Sequence, residues 1–317
     1  MKTVFMFPGQ GAQEVGMGRE LAAGGGEFAQ LYKQASEIVG YDLGEVCFQG
    51  PEEKLNRTEV SQPAIFVTSA VCLEALRKGK MGDELAGVEP EACVGLSLGE
   101  YTALYASGAI GFEEGLKLVD LRGRSMQEAA EKRTGTMVSI LGLDEEGVDK
   151  LCQVVLEEGI QEEDGLETLL KPVNYNCPGQ IVVSGSIRAC ERAAEKAEKC
   201  GALKAVPLKV AGAFHTKMMA PAAEKLGEAL GKCSFARTRC KVVANVDGRV
   251  YDGAEEIPAK LMKQLVGAVR WQQSIEYLLD EGAERFVEIG PGRVLTGLVK
   301  KITRARKQKI EIINVSG

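Results

Sequence analysis

The chain has 317 residues, of which 45% are hydrophobic and 26% are charged, and its formal net charge is −6. This composition is typical of a globular protein with a sizeable core, and the acidic balance argues against a general nucleic-acid-binding protein. No apolar run reaches the roughly 18 residues of a membrane span. The nine cysteines lack the paired spacing of a metal site, so we expect reduced thiols and a cytoplasmic protein.

Short apolar segments alternate with amphipathic helical patterns along the first part of the chain. The predicted strands cover residues 3–7 and 92–96, and the predicted helices cover residues 63–77, 98–107 and 113–132. Short apolar strands between longer helices indicate a parallel sheet that is covered on both faces. The same pattern returns after residue 209, with strands at 241–245 and 285–289 and a helix at 294–301.

The middle of the chain has a different order of elements. Strands are predicted at 136–141, 173–176, 180–184 and 205–208, helices at 145–158 and 187–200, and a surface loop at 160–168. The order β-α-β-β-α-β is the ferredoxin-like pattern. We therefore predict a small ferredoxin-like domain at residues 133–208, inserted into a larger α/β domain formed by residues 1–132 and 209–317.

The segment Gly95-Leu96-Ser97-Leu98-Gly99 follows the second predicted strand and precedes a predicted helix. A G-x-S-x-G sequence in this setting is typical of a nucleophile elbow, in which a tight turn exposes the serine hydroxyl. The N–H groups at the start of the following helix can stabilise an oxyanion. Ser97 is therefore the candidate nucleophile, although the pattern alone also fits a glycine-rich turn with an incidental serine.

A serine nucleophile needs a general base. His215 is the only histidine of the chain, and it follows Ser97 in the sequence, as the base does in α/β hydrolases. No aspartate or glutamate stands out as a third member, so a backbone carbonyl is an open alternative for orienting the ring. Because only a neutral imidazole accepts a proton, we expect acylation to slow below about pH 6 to 7.

Arg122 lies in the middle of the apolar face of the helix predicted at 113–132. A buried guanidinium is costly unless it is paired. Three partners are open, namely a carboxylate of the protein, solvent reached by a snorkelling side chain, or a carboxylate of the substrate. The third would select an acyl group that carries its own carboxylate.

A glycine-rich segment, Pro8-Gly9-Gln10-Gly11, directly follows the first strand. It lacks the Gly-Lys-Ser/Thr ending of a phosphate loop and the spacing of a dinucleotide fingerprint. A loop of this kind either lines a site with its backbone or simply turns the chain.

Together these segments resemble the malonyl-CoA:acyl carrier protein transacylase family over essentially the whole chain. The resemblance rests on segments that occur in order: Phe7-Pro8-Gly9-Gln10-Gly11, Gly95-Leu96-Ser97-Leu98-Gly99-Glu100, Arg122-Gly123-Arg124 with Met126-Gln127, Asn174-Tyr175-Asn176-Cys177-Pro178-Gly179-Gln180, Phe214-His215, Asn245-Val246-Asp247-Gly248 and Glu288-Ile289-Gly290-Pro291-Gly292. Each segment alone is a weak signal, whereas the ordered set is highly specific.

The resemblance implies an α/β-hydrolase-like large domain with an inserted ferredoxin-like small domain. It implies Ser97 as the nucleophile and His215 as the base, with Arg122 binding the malonyl carboxylate. The other site residues that it implies are the backbone N–H groups of Gln10 and Leu98 for the oxyanion, the backbone carbonyl of Gln264 for orienting the histidine, and Met126 and Phe214 for lining the pocket.

The chain departs from the family pattern at two positions. Leu96 precedes the nucleophile where the family often has histidine, so no accessory histidine is expected there. Gly212 opens the segment Gly212-Ala213-Phe214-His215, in a loop where the family often has proline. In this loop Phe214 is expected to crowd an α-methyl group and so to favour malonyl over methylmalonyl.

The resemblance therefore implies transfer of a malonyl group from malonyl-CoA to the phosphopantetheine thiol of acyl carrier protein, through an ester on Ser97, in fatty acid biosynthesis. No metal or nucleotide cofactor is expected, and a monomer is the default state. The open alternatives are a serine thioesterase or hydrolase, an acyltransferase of a polyketide pathway and a non-catalytic carrier-binding protein.

Overall fold

The computed structural model describes residues 1–162, 165 and 167–316 of the chain. Residues 163, 164 and 166 of the predicted surface loop therefore lie outside the described residues. The strands are β1 (Thr3–Phe7), β2 (Ala92–Gly95), β3 (Thr136–Leu141), β4 (Leu170–Cys177), β5 (Gln180–Gly185), β6 (Lys204–Pro207), β7 (Lys241–Val243), β8 (Arg285–Ile289) and β9 (Glu311–Val315). The α-helices are α1 (Arg19–Ala23), α2 (Gly26–Val39), α3 (Leu43–Gln49), α4 (Glu52–Leu55), α5 (Thr58–Arg77), α6 (Gly99–Ala106), α7 (Phe112–Lys132), α8 (Glu145–Leu156), α9 (Ile187–Lys196), α10 (Ala220–Leu230), α11 (Ile257–Val266), α12 (Trp271–Asp280) and α13 (Val294–Ala305).

A parallel sheet with the strand order β7-β2-β1-β8-β9 forms the larger part of the fold. All residues of β1 are buried, because successive side chains of this central strand point into cores on opposite faces of the sheet. Phe5 and Phe7 pack into the core that contains α5 and α7, whereas Val4 and Met6 pack into the core that contains α12 and α13. The predicted parallel sheet with helices on both faces is confirmed.

The C-terminal ends of β1 and β2 lie side by side, because Phe7 pairs with Gly95 in the parallel register. The loops that follow these two strands therefore meet at one edge of the sheet. This edge is where ligands bind in open parallel sheets.

The middle of the chain forms an antiparallel sheet with the strand order β4-β5-β3-β6. Its elements follow the order β3-α8-β4-β5-α9-β6, and α8 and α9 pack their apolar faces into a separate core under this sheet. The edge strand β4 is longer than predicted and has register shifts at Pro172/Asn174 and Tyr175/Cys177. Pro172 lacks an N–H that could donate to a neighbouring strand. It is tolerated in β4 because an edge strand has a neighbouring strand on one side only.

The two sheets are joined through β4. Tyr175 N donates to the carbonyl oxygen of Val269 at 3.0 Å, and Val269 N donates to that of Val173 at 2.7 Å. These bonds fasten the segment between α11 and α12 against the edge of the antiparallel sheet. The end of α11 is thereby fixed with respect to both sheets.

The predicted elements leave part of the fold unaccounted for. The sequence pattern does not predict α2, α10, α11, α12 or β9, all of which the structure contains. The helix predicted from Pro63 begins earlier, at Thr58, so the proline lies inside α5 rather than at its first turn.

Among the described helices, none combines the length and the apolar character needed to cross a lipid bilayer. The nine cysteines of the described chain carry free thiols, as the sequence predicts.

Candidate active site

Ser97 lies in the tight turn between β2 and α6. Its φ angle is +52°, in the left-handed region that few residues other than glycine adopt. The glycines that flank it are required by space. A Cβ on Gly95 would lie 1.9 Å from the carbonyl carbon of Gly99, and a Cβ on Gly99 would lie 2.0 Å from the carbonyl oxygen of Phe7. The turn therefore has the tight geometry that the G-x-S-x-G pattern predicts.

Ser97 and His215 form a hydrogen-bonded pair. Ser97 Oγ lies 2.9 Å from His215 Nε2, and His215 Nδ1 lies 2.8 Å from the backbone carbonyl oxygen of Gln264. Because a carbonyl only accepts, Nδ1 carries the proton, and Nε2 has the lone pair that can take the Ser97 proton. The backbone carbonyl, left open as an alternative by the sequence, is the group that faces the ring.

Burial determines the protonation state of His215. Burial of the ring, together with the positive charge of Arg122, lowers the pKa of His215 from 6.5 to about 4. The hydrogen bonds to the carbonyls of Gln264 and Gly267 oppose this shift without cancelling it. The expected loss of the base below about pH 6 to 7 uses the pKa of a solvated imidazole, and the lowered pKa of this buried ring moves the expected loss to about pH 4.

Arg122 lies on the buried face of α7 and is 1% exposed. Its Nη2 donates to Ser97 Oγ at 2.9 Å and to Gln264 Oε1 at 3.0 Å. Its Nη1 donates to Gln62 Oε1 at 2.7 Å. Within the described part of the chain, no carboxylate lies at ion-pair distance from the guanidinium, and its Nε has no hydrogen-bond partner.

The charge of Arg122 is thus held by neutral groups. Besides the two glutamine oxygens and the Ser97 hydroxyl, the ring of Tyr101 lies with its centroid 5.6 Å from the guanidinium carbon. Of the three partners considered from the sequence, a directly paired protein carboxylate and bulk solvent do not apply to the described residues. A cation held in this way can accept an external carboxylate as its partner.

Gln264 connects several parts of the site. Besides its backbone carbonyl at His215 and its Oε1 at Arg122, its Nε2 donates to the carbonyl oxygen of Ser97 at 2.7 Å and to Glu100 Oε2 at 2.8 Å. The family resemblance implies only the backbone contact. The backbone contact of Gln264 with His215 and the contacts of its side chain both depend on the last turn of α11. The bonds between Val269 and β4 hold this turn in place.

Asn245 is a site residue to which the sequence reasoning assigned no role. Its Oδ1 accepts from the backbone N–H of Ser97 at 2.6 Å, and its Nδ2 donates to the carbonyl oxygen of Gly95 at 2.7 Å. Gln62 and Glu100 were missed in the same way. The available signals were the position of Asn245 two residues after the end of β7 in the parallel sheet, and a glutamate that follows the elbow in an apolar helix.

The backbone N–H groups of Gln10 and Leu98 have no hydrogen-bond partner in the part of the chain that the structure describes. Leu98 immediately precedes α6, and the loop after β1 lies against the elbow, since Leu96 N donates to the carbonyl oxygen of Phe7 at 3.1 Å. The side chain of Gln10 reaches Thr58 Oγ1 at 3.5 Å. Both amides are therefore available to a negatively charged oxygen at this edge of the sheet.

Met126 and Phe214 are both buried in the core beside the site. Met126 Sδ accepts from Gln62 Nε2 at 3.3 Å, so it contacts the residue that binds Arg122. The carbonyl oxygen of Phe214 accepts from Ser184 Oγ at 2.8 Å, which ties the His215 loop to β5. Among the described residues, no group of three or more histidine, cysteine, aspartate or glutamate side chains could hold a metal ion.

The family model for the acyl transferase domain matches residues 4–316. The chain belongs to this acyltransferase family. The malonyl CoA-acyl carrier protein transacylase of Bacillus subtilis (strain 168) is 41% identical to it over 306 residues, which are 96% of this chain and 92% of that protein. The resemblance inferred from the ordered sequence segments is confirmed.

Solved structures agree with the fold of this acyltransferase. The malonyl CoA-acyl carrier protein transacylase of Clostridium perfringens ATCC 13124 is 41% identical with a TM-score of 0.87, and the match covers 99% of this chain and 93% of that chain. A malonyl-transacylase in complex with a type II polyketide synthase acyl carrier protein is 38% identical with a TM-score of 0.87, and the match covers 99% of this chain and 95% of that chain. The fold class is therefore α/β, with a parallel and an antiparallel sheet.

Proposed function

We propose that this acyltransferase moves the malonyl group of malonyl-CoA to the phosphopantetheine thiol of acyl carrier protein, through a malonyl ester on Ser97, in fatty acid biosynthesis. The observation that carries the proposal is the buried guanidinium of Arg122, which donates to Ser97 Oγ at 2.9 Å and has no directly paired carboxylate among the described residues. An acyl group esterified on Ser97 offers a partner to this cation only if it carries its own carboxylate. The names of the relatives, malonyl CoA-acyl carrier protein transacylases, support the same substrate.

In the first half-reaction, Ser97 Oγ attacks the thioester carbonyl carbon of malonyl-CoA. His215 Nε2 takes the hydroxyl proton, and the carbonyl oxygen becomes an oxyanion that the N–H groups of Gln10 and Leu98 stabilise. The C–S bond then breaks, and the CoA sulfur leaves with the proton from His215. The products are malonyl-Ser97 and free CoA thiol.

The second half-reaction runs in reverse with another thiol. His215 takes the proton of the phosphopantetheine thiol of acyl carrier protein as the sulfur attacks the ester carbonyl of malonyl-Ser97. The C–O bond breaks, and Ser97 Oγ recovers its proton from His215. Because CoA leaves before the second thiol enters, the kinetics are ping-pong.

The carboxylate of the substrate also acts on the base. The positive charge of Arg122 is one of the causes that lower the pKa of His215. A malonyl carboxylate paired with Arg122 offsets this charge, so His215 becomes a stronger base when the correct substrate is bound. The Gln264 carbonyl then stabilises the imidazolium, in the role that aspartate has in a Ser-His-Asp triad.

The arrangement of the two sheets supports an α/β-hydrolase-like large domain of residues 1–132 and 209–317 with an inserted ferredoxin-like domain of residues 133–208. The strand order β4-β5-β3-β6 within that insertion supports the second assignment. The proposed steps use only side chains and backbone groups, so the reaction needs no metal or nucleotide cofactor. The free cysteines agree with a location in the reducing cytoplasm. A monomer remains the default state.

Mass spectrometry of the intact protein after mixing with malonyl-CoA tests the proposal. We expect a malonyl adduct that maps to the Ser97 peptide, is absent in Ser97→Ala, and disappears when phosphopantetheinylated acyl carrier protein is added. Release of free malonate in the presence of the carrier would instead identify a thioesterase. An adduct that persists in Ser97→Ala would remove Ser97 as the nucleophile.

A further inference from the structure

Glu100 is a fully buried carboxylate that the proposed steps do not use. It lies in the first turn of α6, next to the elbow. Its Oε2 accepts from Gln264 Nε2 at 2.8 Å and from the backbone N–H of Asn245 at 3.1 Å, and its Oε1 accepts from the hydroxyl of Tyr251. A carboxylate in such a place costs free energy of desolvation, whereas a neutral side chain would fill the same space without that cost.

Two of these donor residues, Gln264 and Asn245, connect Glu100 to the reacting groups. Gln264 also donates to the Ser97 carbonyl, accepts from Arg122 and faces His215 with its backbone carbonyl. Asn245 binds the backbone N–H of Ser97 through its side chain. Glu100 is therefore connected to the nucleophile, the base and the guanidinium through a single intervening residue, which is Gln264 or Asn245.

The charges of Glu100 and Arg122 act on each other. Burial raises the pKa of Glu100 from 4.5 to about 6, against the hydrogen bonds from its three donors and the charge of Arg122. Burial lowers the pKa of Arg122, and the charge of Glu100 is among the causes that oppose this shift. The other titratable or charged groups around this pocket are Tyr101, Tyr251 and His215, with Asp247 and Lys260 beyond Tyr251.

We propose that Glu100 is a positioning residue for the transfer of carboxylated acyl groups: through Gln264 it holds Arg122 beside Ser97, and its charge competes with the substrate carboxylate for that guanidinium. The inference rests on the proposed function, because it requires a malonyl carboxylate at Arg122. With Glu100 ionised, the substrate brings a second negative charge into the site. With Glu100 protonated, the whole charge of Arg122 is available to the substrate.

Protonation need not disturb the hydrogen bonds that hold the site. The protonated Glu100 still has one oxygen to accept from Gln264 and Asn245, and its O–H can donate to the hydroxyl oxygen of Tyr251. The two protonation states therefore differ in charge more than in geometry. Their effect falls on substrates that carry a carboxylate.

The measurable quantity is the ratio of kcat/KM for malonyl-CoA to kcat/KM for acetyl-CoA. Both substrates use His215, so its titration cancels in this ratio. We expect the ratio to fall about tenfold as the pH rises from about 5 to 8, which is the order of magnitude for one additional charge at a partly buried site. The midpoint should lie near pH 6, at the pKa of Glu100.

Two variants and a matched control test the assignment. In Glu100→Gln the ratio should be independent of pH and remain at the high value, because the amide keeps an acceptor but has no charge. In Tyr251→Phe the midpoint should move to higher pH, because a donor to the ionised carboxylate is lost. The control is Glu288→Gln, the same substitution at a fully buried carboxylate that instead accepts from the backbone N–H groups of Leu295 and Thr296; it should keep the pH dependence.

The outcomes separate this inference from the proposed function. A pH-independent ratio in the wild type, with a malonyl adduct still forming on Ser97, would overturn the inference and leave the function standing. A pH dependence that persists in Glu100→Gln would overturn it as well. If Glu100→Gln does not fold, Tyr251→Phe decides, since an unmoved midpoint contradicts the inference and an upward shift supports it. Absence of any malonyl adduct would contradict the proposed function itself.

Discussion

Arg122 Nη2 lies 2.9 Å from Ser97 Oγ, so a buried cation donates to the same oxygen that faces His215 Nε2. To attack a thioester carbonyl, this oxygen must direct a lone pair at carbon and release the hydrogen bond from Arg122. A malonyl carboxylate is a better acceptor for the guanidinium than a hydroxyl, because both its oxygens are charged. We therefore expect binding of the correct acyl group to free the nucleophile, and an uncharged acyl group to leave Arg122 on Ser97.

Substitution of Arg122 by alanine should change the selectivity. We expect kcat/KM for malonyl-CoA to fall roughly 10²-fold, the equivalent of about 2 to 3 kcal/mol for a lost charge-assisted pair, while that for acetyl-CoA changes much less. Arg122→Lys keeps the charge but lacks the planar guanidinium. Its kcat/KM for malonyl-CoA should therefore lie between those of the wild type and Arg122→Ala. The measurement is kcat/KM for both substrates, and an unchanged ratio in Arg122→Ala would make Arg122 a structural residue.

The apolar pattern predicts much of the fold because the central strands are buried on both faces. β1 carries a continuous apolar run from Val4 to Phe7, and the middle region shows its element order directly. β9 is not predicted because it lies at the sheet edge, where only Val315 is fully buried and the alternation of apolar residues is weak. The helices α10, α11 and α12 are recognisable only once the sheet that they cover is known, whereas the pattern of α13 is predicted at 294–301.

The lowered pKa of His215 should appear in the acid limb of the rate profile. Since the neutral ring is the active form and its pKa lies at about 4, kcat/KM should stay constant down to about pH 5 and halve near pH 4. Acetyl-CoA is the appropriate substrate, because it has no carboxylate that reports on Glu100. Arg122→Ala should move this limb to higher pH, because it removes a positive charge beside the ring. A limb between about pH 6 and 7 in the wild type would show that burial does not lower the pKa of His215.

The sequence identifies the parts of the site that depend on chemical type. A serine in an elbow, a single histidine and an arginine on an apolar helix face are each unusual enough to be noticed. Gln62, Glu100 and Asn245 are not, because an amide or a carboxylate acquires its role only from partners that are remote in sequence. Gln62 on α5 meets Arg122 on α7, and only the packing of these helices brings the two side chains together.

Close packing at the elbow predicts a large effect of a single methyl group. In Gly99→Ala the added Cβ would lie 2.0 Å from the carbonyl oxygen of Phe7 and 2.9 Å from that of Pro8, and neither backbone group can rotate away. We expect a loss of at least about 3 kcal/mol in the free energy of unfolding, with loss of Ser97 acylation.

The matched control is Gly297→Ala in α13, where an added Cβ meets nothing within 4 Å. Its free energy of unfolding should rise by about 0.5 to 1 kcal/mol, because alanine has a higher helix propensity than glycine. Urea unfolding and single-turnover acylation measure both effects. Equal stabilities for the two variants would contradict the close contact between the elbow and the end of β1.

Asn245 should matter for the rate rather than for substrate binding. Two short hydrogen bonds of its side chain, 2.6 Å from the N–H of Ser97 and 2.7 Å to the carbonyl oxygen of Gly95, hold the turn in which Ser97 has a φ of +52°. In Asn245→Ala this strained turn can relax, and the elbow N–H loses its acceptor at a cost of about 1 to 3 kcal/mol. We expect kcat for malonyl transfer to fall about tenfold or more, with a small change in KM, since Arg122 keeps both glutamine partners and Gln264 loses only a long bond, 3.4 Å, to Asn245 Oδ1.

Asn56→Ala is a suitable control for this variant, because Asn56 is exposed and, among the described residues, its Oδ1 accepts only from Gln13 Nε2, at 2.8 Å. It should leave kcat and the free energy of unfolding nearly unchanged. Steady-state kinetics and urea unfolding of the two variants decide the role of Asn245. A rise in KM without a fall in kcat would mean that Asn245 shapes the acyl site and does not hold the nucleophile, because a relaxed elbow misplaces Ser97 Oγ whichever acyl group is bound.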